Sequence, residues 1–330
     1  MAIYRAQGFE TDDTVVQAVG WTYTGTTAIT SSERHRNGAG TFGGSQSLRI
    51  PNSSSSAHVI APSAADDDEF SFAIKFDSGG SWSVRFTSSG GGINCALTMG
   101  VDGILRIYRG TSTVLATGSN ALTHSTWYWI TVSVTAKNSP NGAMEAWING
   151  VSEVSVTGDD LAATAFEGVD GLTFQGVTNG FWLDDYHHAS AGSSLPELFA
   201  FPRTVTGDDT IASTSSGGGA GTYANVDETP VSASDYNEFT AAGADLYSAT
   251  DTMSPSEVAC VHVMSIMTGD GAITTARNNI KLASTTENGT YQALATGGTY
   301  SGISDVFETV GGSPLTGTDV DNLLHGPQVA

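Results

Sequence analysis

Carboxylates are the most plentiful charged groups in this sequence, with 34 Asp and Glu against 12 Lys and Arg. Paired acids are therefore the first chemistry to look for. Glycan-cleaving β-sandwiches set two carboxylates on one strand face, commonly in a Glu-x-Asp-x-x-Glu string, roughly 5–5.5 Å apart when configuration is retained. That string is absent here. Asp184 and Asp185 are neighbours on a predicted strand, which sends their side chains to opposite faces. Glu145 stands alone on its strand. The Arg, Gln, His and Tyr cluster that a polysaccharide lyase needs on adjacent strands cannot be assembled from the pattern.

Metal chemistry is no better served. His187 and His188 are consecutive, so on a strand they diverge and cannot chelate one ion in regular geometry. His35 lies between Arg34 and Arg36, a poor place for a cation. Neither His-Glu-x-x-His nor paired Cys-x-x-Cys occurs. Asp66, Asp67 and Asp68, followed by Glu69, offer oxygen ligands for Ca²⁺ if they form a loop; the simpler reading is a solvated acidic loop. No other cofactor is implied. There is no Gly-x-Ser-x-Gly elbow, and Gly217–Gly221 lacks the Lys and the apolar helix of a phosphate loop.

Aromatic residues are the remaining candidates. Trp127, Trp129, Trp147 and Trp182 all fall on predicted strands. A Trp at an alternating position belongs more often to a core than to a ligand platform. In Trp127–Thr135, however, Tyr128, Ile130, Val132 and Val134 form the aliphatic face, so Trp127 and Trp129 point the other way. There they could stack against a sugar.

The elements that position these residues are strands. Phe70, Phe72, Ile74 and Phe76 alternate with Ser71, Ala73 and Lys75, the period-2 signature of a strand over an apolar core. Similar runs span Leu48–Ile50, Trp82–Thr87, Ile93–Met99, Met144–Ile148 and Val151–Val156. Asp102-Gly103 and Asn149-Gly150 are hairpin turns, because both residue types tolerate positive φ. Residues 1–45 read as loops with isolated apolar contacts at Trp21 and Tyr23. No long 3.6-residue stripe interrupts this half, which predicts an all-β sandwich over residues 1–190. Residues 191–222, with Pro196, Pro202 and the tract Ser215–Gly219, read as a linker or long surface loop. A smaller β-rich unit follows over 223–330, with strands at Val258–Met264, Asn278–Leu282 and Tyr291–Leu294. A short C-terminal helix is expected from a Thr318/Asp321 capping box, stopped at Gly326-Pro327.

The formal net charge of −22 disfavours nucleic acid and anionic membranes, since phosphate binding needs clustered bases. The only Lys and Arg in residues 191–330 are Arg203, Arg277 and Lys281. Met1–Arg5 lacks an apolar signal core, and no run reaches the ~18 apolar residues of a membrane helix. Synthesis in a cytosol without visible export is the expectation. Cys95 and Cys260, one in each half, are expected to be buried thiols rather than a disulfide, and the sequons at Asn52 and Asn288 carry no weight without secretion.

Two sets of residues resemble known families. Gln46–Ile50, Phe70–Phe76, Trp127–Thr135, Glu145–Val151 and Phe181–Tyr186 resemble the concanavalin A-like (laminin G-like) jelly roll. Tyr223–Pro230, Asp245–Tyr247, Phe307-Glu308, Pro314–Gly317, Asp319–Asp321 and Leu323–Val329 resemble the domain that follows such sandwiches in tailed-bacteriophage virion proteins. The resemblance implies a non-enzymatic structural protein on the virion surface, made in the bacterial cytoplasm. Either a tail fibre or receptor-binding component or a head decoration protein fits. Its partners would be other capsid or tail proteins, a host surface glycan and further copies of itself in a homo-oligomer. The laminin G-like calcium ligands do not map onto clear positions, and the heptads of fibre stalks are absent. A lectin-like carbohydrate-binding module is the alternative, and a glycoside hydrolase or polysaccharide lyase is the third reading, since this sandwich hosts both.

Overall fold

A computed structural model describes residues 3–7, 21–30, 47–60, 67–88, 90–163, 167–190, 205–215, 224, 236–249, 258, 260–269, 271–296 and 301–330. The fold is all-β: a sandwich of two antiparallel sheets, then a smaller β-rich unit with one short C-terminal helix. The described residues up to 190 form one compact unit and those from 205 onward another.

The first unit contains β1 (Ile3–Gln7), β2 (Trp21–Thr24), β3 (Ala28–Thr30), β4 (Ser47–Ile50), β5 (Ser56–Ile60), β6 (Asp67–Phe76), β7 (Ser81–Thr87) and β8 (Ile93–Met99). It continues with β9 (Ile104–Arg109), β10 (Thr113–Ala121), β11 (Trp127–Thr135), β12 (Gly142–Ile148), β13 (Val151–Asp159), β14 (Gly171–Thr178) and β15 (Phe181–Ser190). One sheet runs β13-β12-β11-β6-β15-β4-β3 with β1 on β15; the second runs β10-β9-β8-β7-β14-β5-β2. Residues 1–45 are thus not all loop. Trp21 is a fully buried core residue of β2, and β1 pairs with β15. Such short strands lie below the length at which alternation is visible.

The alternation in β6 does what its sequence predicts. Phe70, Phe72, Ile74 and Phe76 are fully buried, and Phe72 meets Phe174 of the second sheet edge-on at 5.2 Å. Trp21 packs on Tyr186 at 5.3 Å and on Phe174 at 6.0 Å, and each such pair adds about 0.5–1.5 kcal/mol beyond its buried area. The two predicted turns are present: Asn149 and Gly150 sit at φ 49° and 79°, and Gly103 at 77°. The same alternation carries Asp68 and His188 into the core, where Nε2 lies 2.9 Å from the carboxylate and neither side chain is exposed. The imidazole stacks on Phe70 at 4.4 Å.

The second unit contains β16 (Val205–Thr210), β17 (Thr214–Ser215), β18 (Asn237–Glu238), β19 (Gly243–Ala244), β20 (Leu246–Ala249), β21 (Val261–Met267) and β22 (Thr275–Leu282). Then come β23 (Thr285–Asn288), β24 (Gln292–Ala293), β25 (Ser301–Phe307), β26 (Thr309–Val310), β27 (Ser313–Pro314), α1 (Gly317–Asp321) and β28 (Leu324–Val329). Its main sheet runs β16-β20-β28-β22-β23, over small clusters such as Val263, Ile280, Phe307, Leu315 and Leu323. The linker expectation is corrected over 205–210, which pair with β20. β16 is an edge strand that is mostly exposed, so its Thr-Gly-Asp-Asp-Thr sequence shows no apolar alternation. Residues 191–204 and 216–222 of that segment lie outside the described residues. The capping box is also corrected: Thr316 caps the helix, its hydroxyl accepting from Asp319 N at 3.2 Å while Asp319 accepts from Thr316 N. Gly326-Pro327 belongs to β28 and stops nothing. Both cysteines are free, Cys95 buried and Cys260 half-buried.

Candidate functional site

The sandwich has two outer faces, and register decides what each presents. On the first sheet, pairing aligns Trp127 of β11, Lys75 of β6, Trp182 of β15 and Arg49 of β4 in one row across four strands. The Arg49 guanidinium lies 3.9 Å from the Trp182 ring centre and Lys75 Nζ 5.3 Å from it. Arg49 also pairs with Asp77 at 2.5 Å. A Cβ at Gly180 would run into Arg49 Nη1, so this glycine makes room for the stack. Further along come Trp129 beside Ala73, then Thr131, Ser71 and His187 in register.

This face corrects two expectations. Trp147 and Trp182 stand on it rather than in the core; the core tryptophans of the sandwich are Trp21 and Trp82. Trp129 is no sugar platform, because it is only 3% exposed and its ring lies 5.9 Å from that of His187. Trp127 remains half-buried two residues away.

The acidic residues scatter. Asp66 lies outside the described residues. Asp67 and Asp68 begin β6 instead of forming a loop: Asp67 is exposed, while Asp68 faces the core against His188. Their oxygens therefore do not converge on one ion, as the loop reading required. Burial raises the Asp68 pKa above the usual carboxylate value, opposed by the His188 contact. Asp184 and Asp185 sit at a bulge where Asp185 takes φ 46°. Both are buried, and Asp184 Oδ1 accepts from Asp185 N at 2.8 Å. His187 and His188 diverge as predicted, the first to the outer face and the second to the core. Burial holds His187 below the ordinary imidazole value. Glu145 accepts from Ser152 Oγ at 2.5 Å. Among the described residues no cluster of three His, Cys, Asp or Glu could hold a metal ion.

The outer face of the second sheet was not singled out from the sequence. Register places His58, Thr173, Arg85, Ala96 and Tyr108 in one row across β5, β14, β7, β8 and β9. The next row holds Ser56, Gln175, Ser83, Thr98 and Arg106. Hydroxyls pair across strands: Ser83 with Thr98 at 3.0 Å, Ser81 with Thr178 at 2.8 Å, and Thr173 with His58 Nδ1 at 3.0 Å. Arg106 is held by Asp102, which the guanidinium pulls down to about pKa 2. Arg85 has no such partner. The signal was present in Ser81-x-Ser83-x-Arg85-x-Thr87, a polar face opposite Trp82, Val84 and Phe86. An open cleft of about 570 Å³ beside Arg109 and Asn138 completes the inventory, but Asp160, 3.6 Å away, already neutralises its arginine.

No family model and no curated protein matches the chain. Solved structures similar to parts of it include an endo-β-1,4-glucuronan lyase from Trichoderma reesei, at 11% identity and TM-score 0.43, covering 60% of this chain and 100% of that one. A Bacillus subtilis protein of unknown function with a galectin-like fold aligns at 10% identity and TM-score 0.41, over 58% and 96%. The receptor-binding domain of botulinum neurotoxin type G aligns at 10% and 0.37, over 75% and 68%. At these scores none assigns an activity.

Proposed function

We propose that this chain is a non-catalytic structural component on the surface of a tailed-bacteriophage particle. In this reading the first unit is a lectin-like sandwich that contacts a glycan, and the second docks to capsid or tail proteins. The resemblance in both halves of the sequence supports the particle role. The observation that favours binding over cleavage is how the carboxylates of the sandwich are spent. Asp77 is held by Arg49, Asp102 by Arg106, Asp68 by His188 and Glu145 by Ser152. Glu153 accepts from the Ser119 and Asn120 amides at 2.7 Å each, bracing β10 against β13. A hydrolase instead needs two carboxyl groups held free on either side of a sugar.

Mass spectrometry of gradient-purified particles from the source phage tests the reading. The chain is expected among the stoichiometric virion proteins, at a copy number matching capsid symmetry for a head role or a few copies per tail. Its absence from purified particles would overturn the proposal.

A further inference from the structure

We infer that the outer face of the second sheet carries an anion-reading site centred on Arg85, which takes the carboxylate or sulfate of an acidic saccharide. This rests on the reading of the first unit as a glycan-contacting sandwich and names the class of glycan.

Nearly every described base already has a partner. In a chain of net charge −22, counter-ions are abundant. Arg49, Arg106, Arg109, Lys137 and Lys281 each pair with a carboxylate. Arg277 donates to Gln328 at 2.8 Å, and Lys75 lies over Trp182. Among the described side chains, Arg85 is the base that makes no hydrogen bond, ion pair or ring contact, and its Nε is buried without an acceptor. A buried donor left unmatched gives up its hydrogen bond to water and gains none in return, a loss that is larger when the group is charged. Arg85 therefore does not earn its place through stability. A half-buried guanidinium with an open fork suits one task well, the bidentate capture of a planar or tetrahedral oxyanion.

The surroundings of Arg85 are polar. Thr173 and Ala96 flank Arg85 in register, with His58 one strand beyond and Tyr108 on the other side. Burial lowers the His58 pKa, so at neutral pH its ring is an uncharged donor and acceptor suited to hydroxyls. Protein partners are usually anchored by large apolar or aromatic residues at the centre of the patch. Here the neighbouring positions carry Ser83, Thr98 and Gln175, a hydroxyl- and amide-rich surface suited to a polyhydroxylated ligand.

The test is isothermal titration of the full chain with an alginate-derived hexauronate, a sulfated heparin hexasaccharide and neutral cellohexaose. Wild-type protein is expected to bind at least one acidic oligosaccharide, more weakly as NaCl rises, and cellohexaose at least tenfold more weakly. The preferred acid identifies whether carboxylate or sulfate is read. Arg85→Gln is expected to lose at least tenfold in affinity with its melting temperature unchanged or raised, and Arg85→Lys to retain part of the binding. An Arg109→Gln control is expected to bind as wild type. Acidic binding that survives Arg85→Gln would overturn the Arg85 site while leaving a glycan-contacting sandwich intact. Binding of none of the three probes would overturn both, and the particle role would then stand or fall on virion composition alone.

Discussion

The two outer faces of the sandwich are built from the same alternating strands yet are used differently. On the first sheet the outward-facing Trp129, His187 and Thr131 are buried, and Trp182 sits between two cations. On the second, paired hydroxyls and the polar side chains of His58, Gln175 and Tyr108 surround one guanidinium left unmatched among the described residues. A face whose charges are all matched contributes to stability, whereas a face that keeps an unmatched charge at some cost is available for a ligand. The first face is therefore a support and the second the reading surface.

That contrast can be broken by mutation. Trp129→Ala should cost about 4 kcal/mol in urea unfolding followed by circular dichroism, in the range of buried Trp truncations. Arg85→Gln should stay within about 0.5 kcal/mol of wild type. Equal costs at the two sites would erase the distinction. Slightly smaller, Asp68→Ala should cost about 3 kcal/mol, because it leaves His188 buried without its carboxylate, while the apolar pair Asp68→Leu with His188→Met should be close to neutral.

Acid titration sharpens the comparison next. His187 and His58 both have lowered pKa values through burial, so the unfolded chain binds more protons just below its own His pKa of about 6.5. Their contribution to stability is complete above that pH and lost as pH falls below it. Asp68 acts in the opposite sense. Its raised pKa adds stability that is complete only below the unfolded carboxylate value of about 3.9 and disappears as pH rises through the folded one. His187→Gln should therefore flatten the pH 7 to 5 limb of the unfolding curve more than His58→Gln, because His187 is the more deeply buried. The smallest effect is Gly180→Ala. The new methyl should push the Arg49 guanidinium off Trp182, costing about 0.5–1 kcal/mol, with an altered tryptophan emission spectrum as the direct readout.

Much of the first unit was legible because its strands are long enough to alternate. Phe70–Phe76 and Ile130–Val134 announced their core faces, and Asn149-Gly150 its hairpin. Short or edge strands such as β2, β3 and β16 were invisible, since a few residues with one exposed face carry no period. The candidate site was legible only in part, because a sequence shows which residues share a face of one strand but not which strands are neighbours. Trp127 and Lys75 lie 52 positions apart and meet only through the β11–β6 register. Arg85 and His58 are joined through Thr173, more than eighty residues further along the chain. Asp67 and Asp68 looked like loop oxygens because nothing in the sequence revealed that His188 would meet the second of them inside the core.

The two faces divide the labour, one supporting the sandwich and the other reading a ligand. The most direct test is a crystal structure of the full chain with the acidic hexasaccharide that binds best. Ligand density is expected on the second sheet, with a carboxylate or sulfate within hydrogen-bond distance of Arg85. Density seated instead on the first sheet, over Trp127 and Trp182, would contradict it.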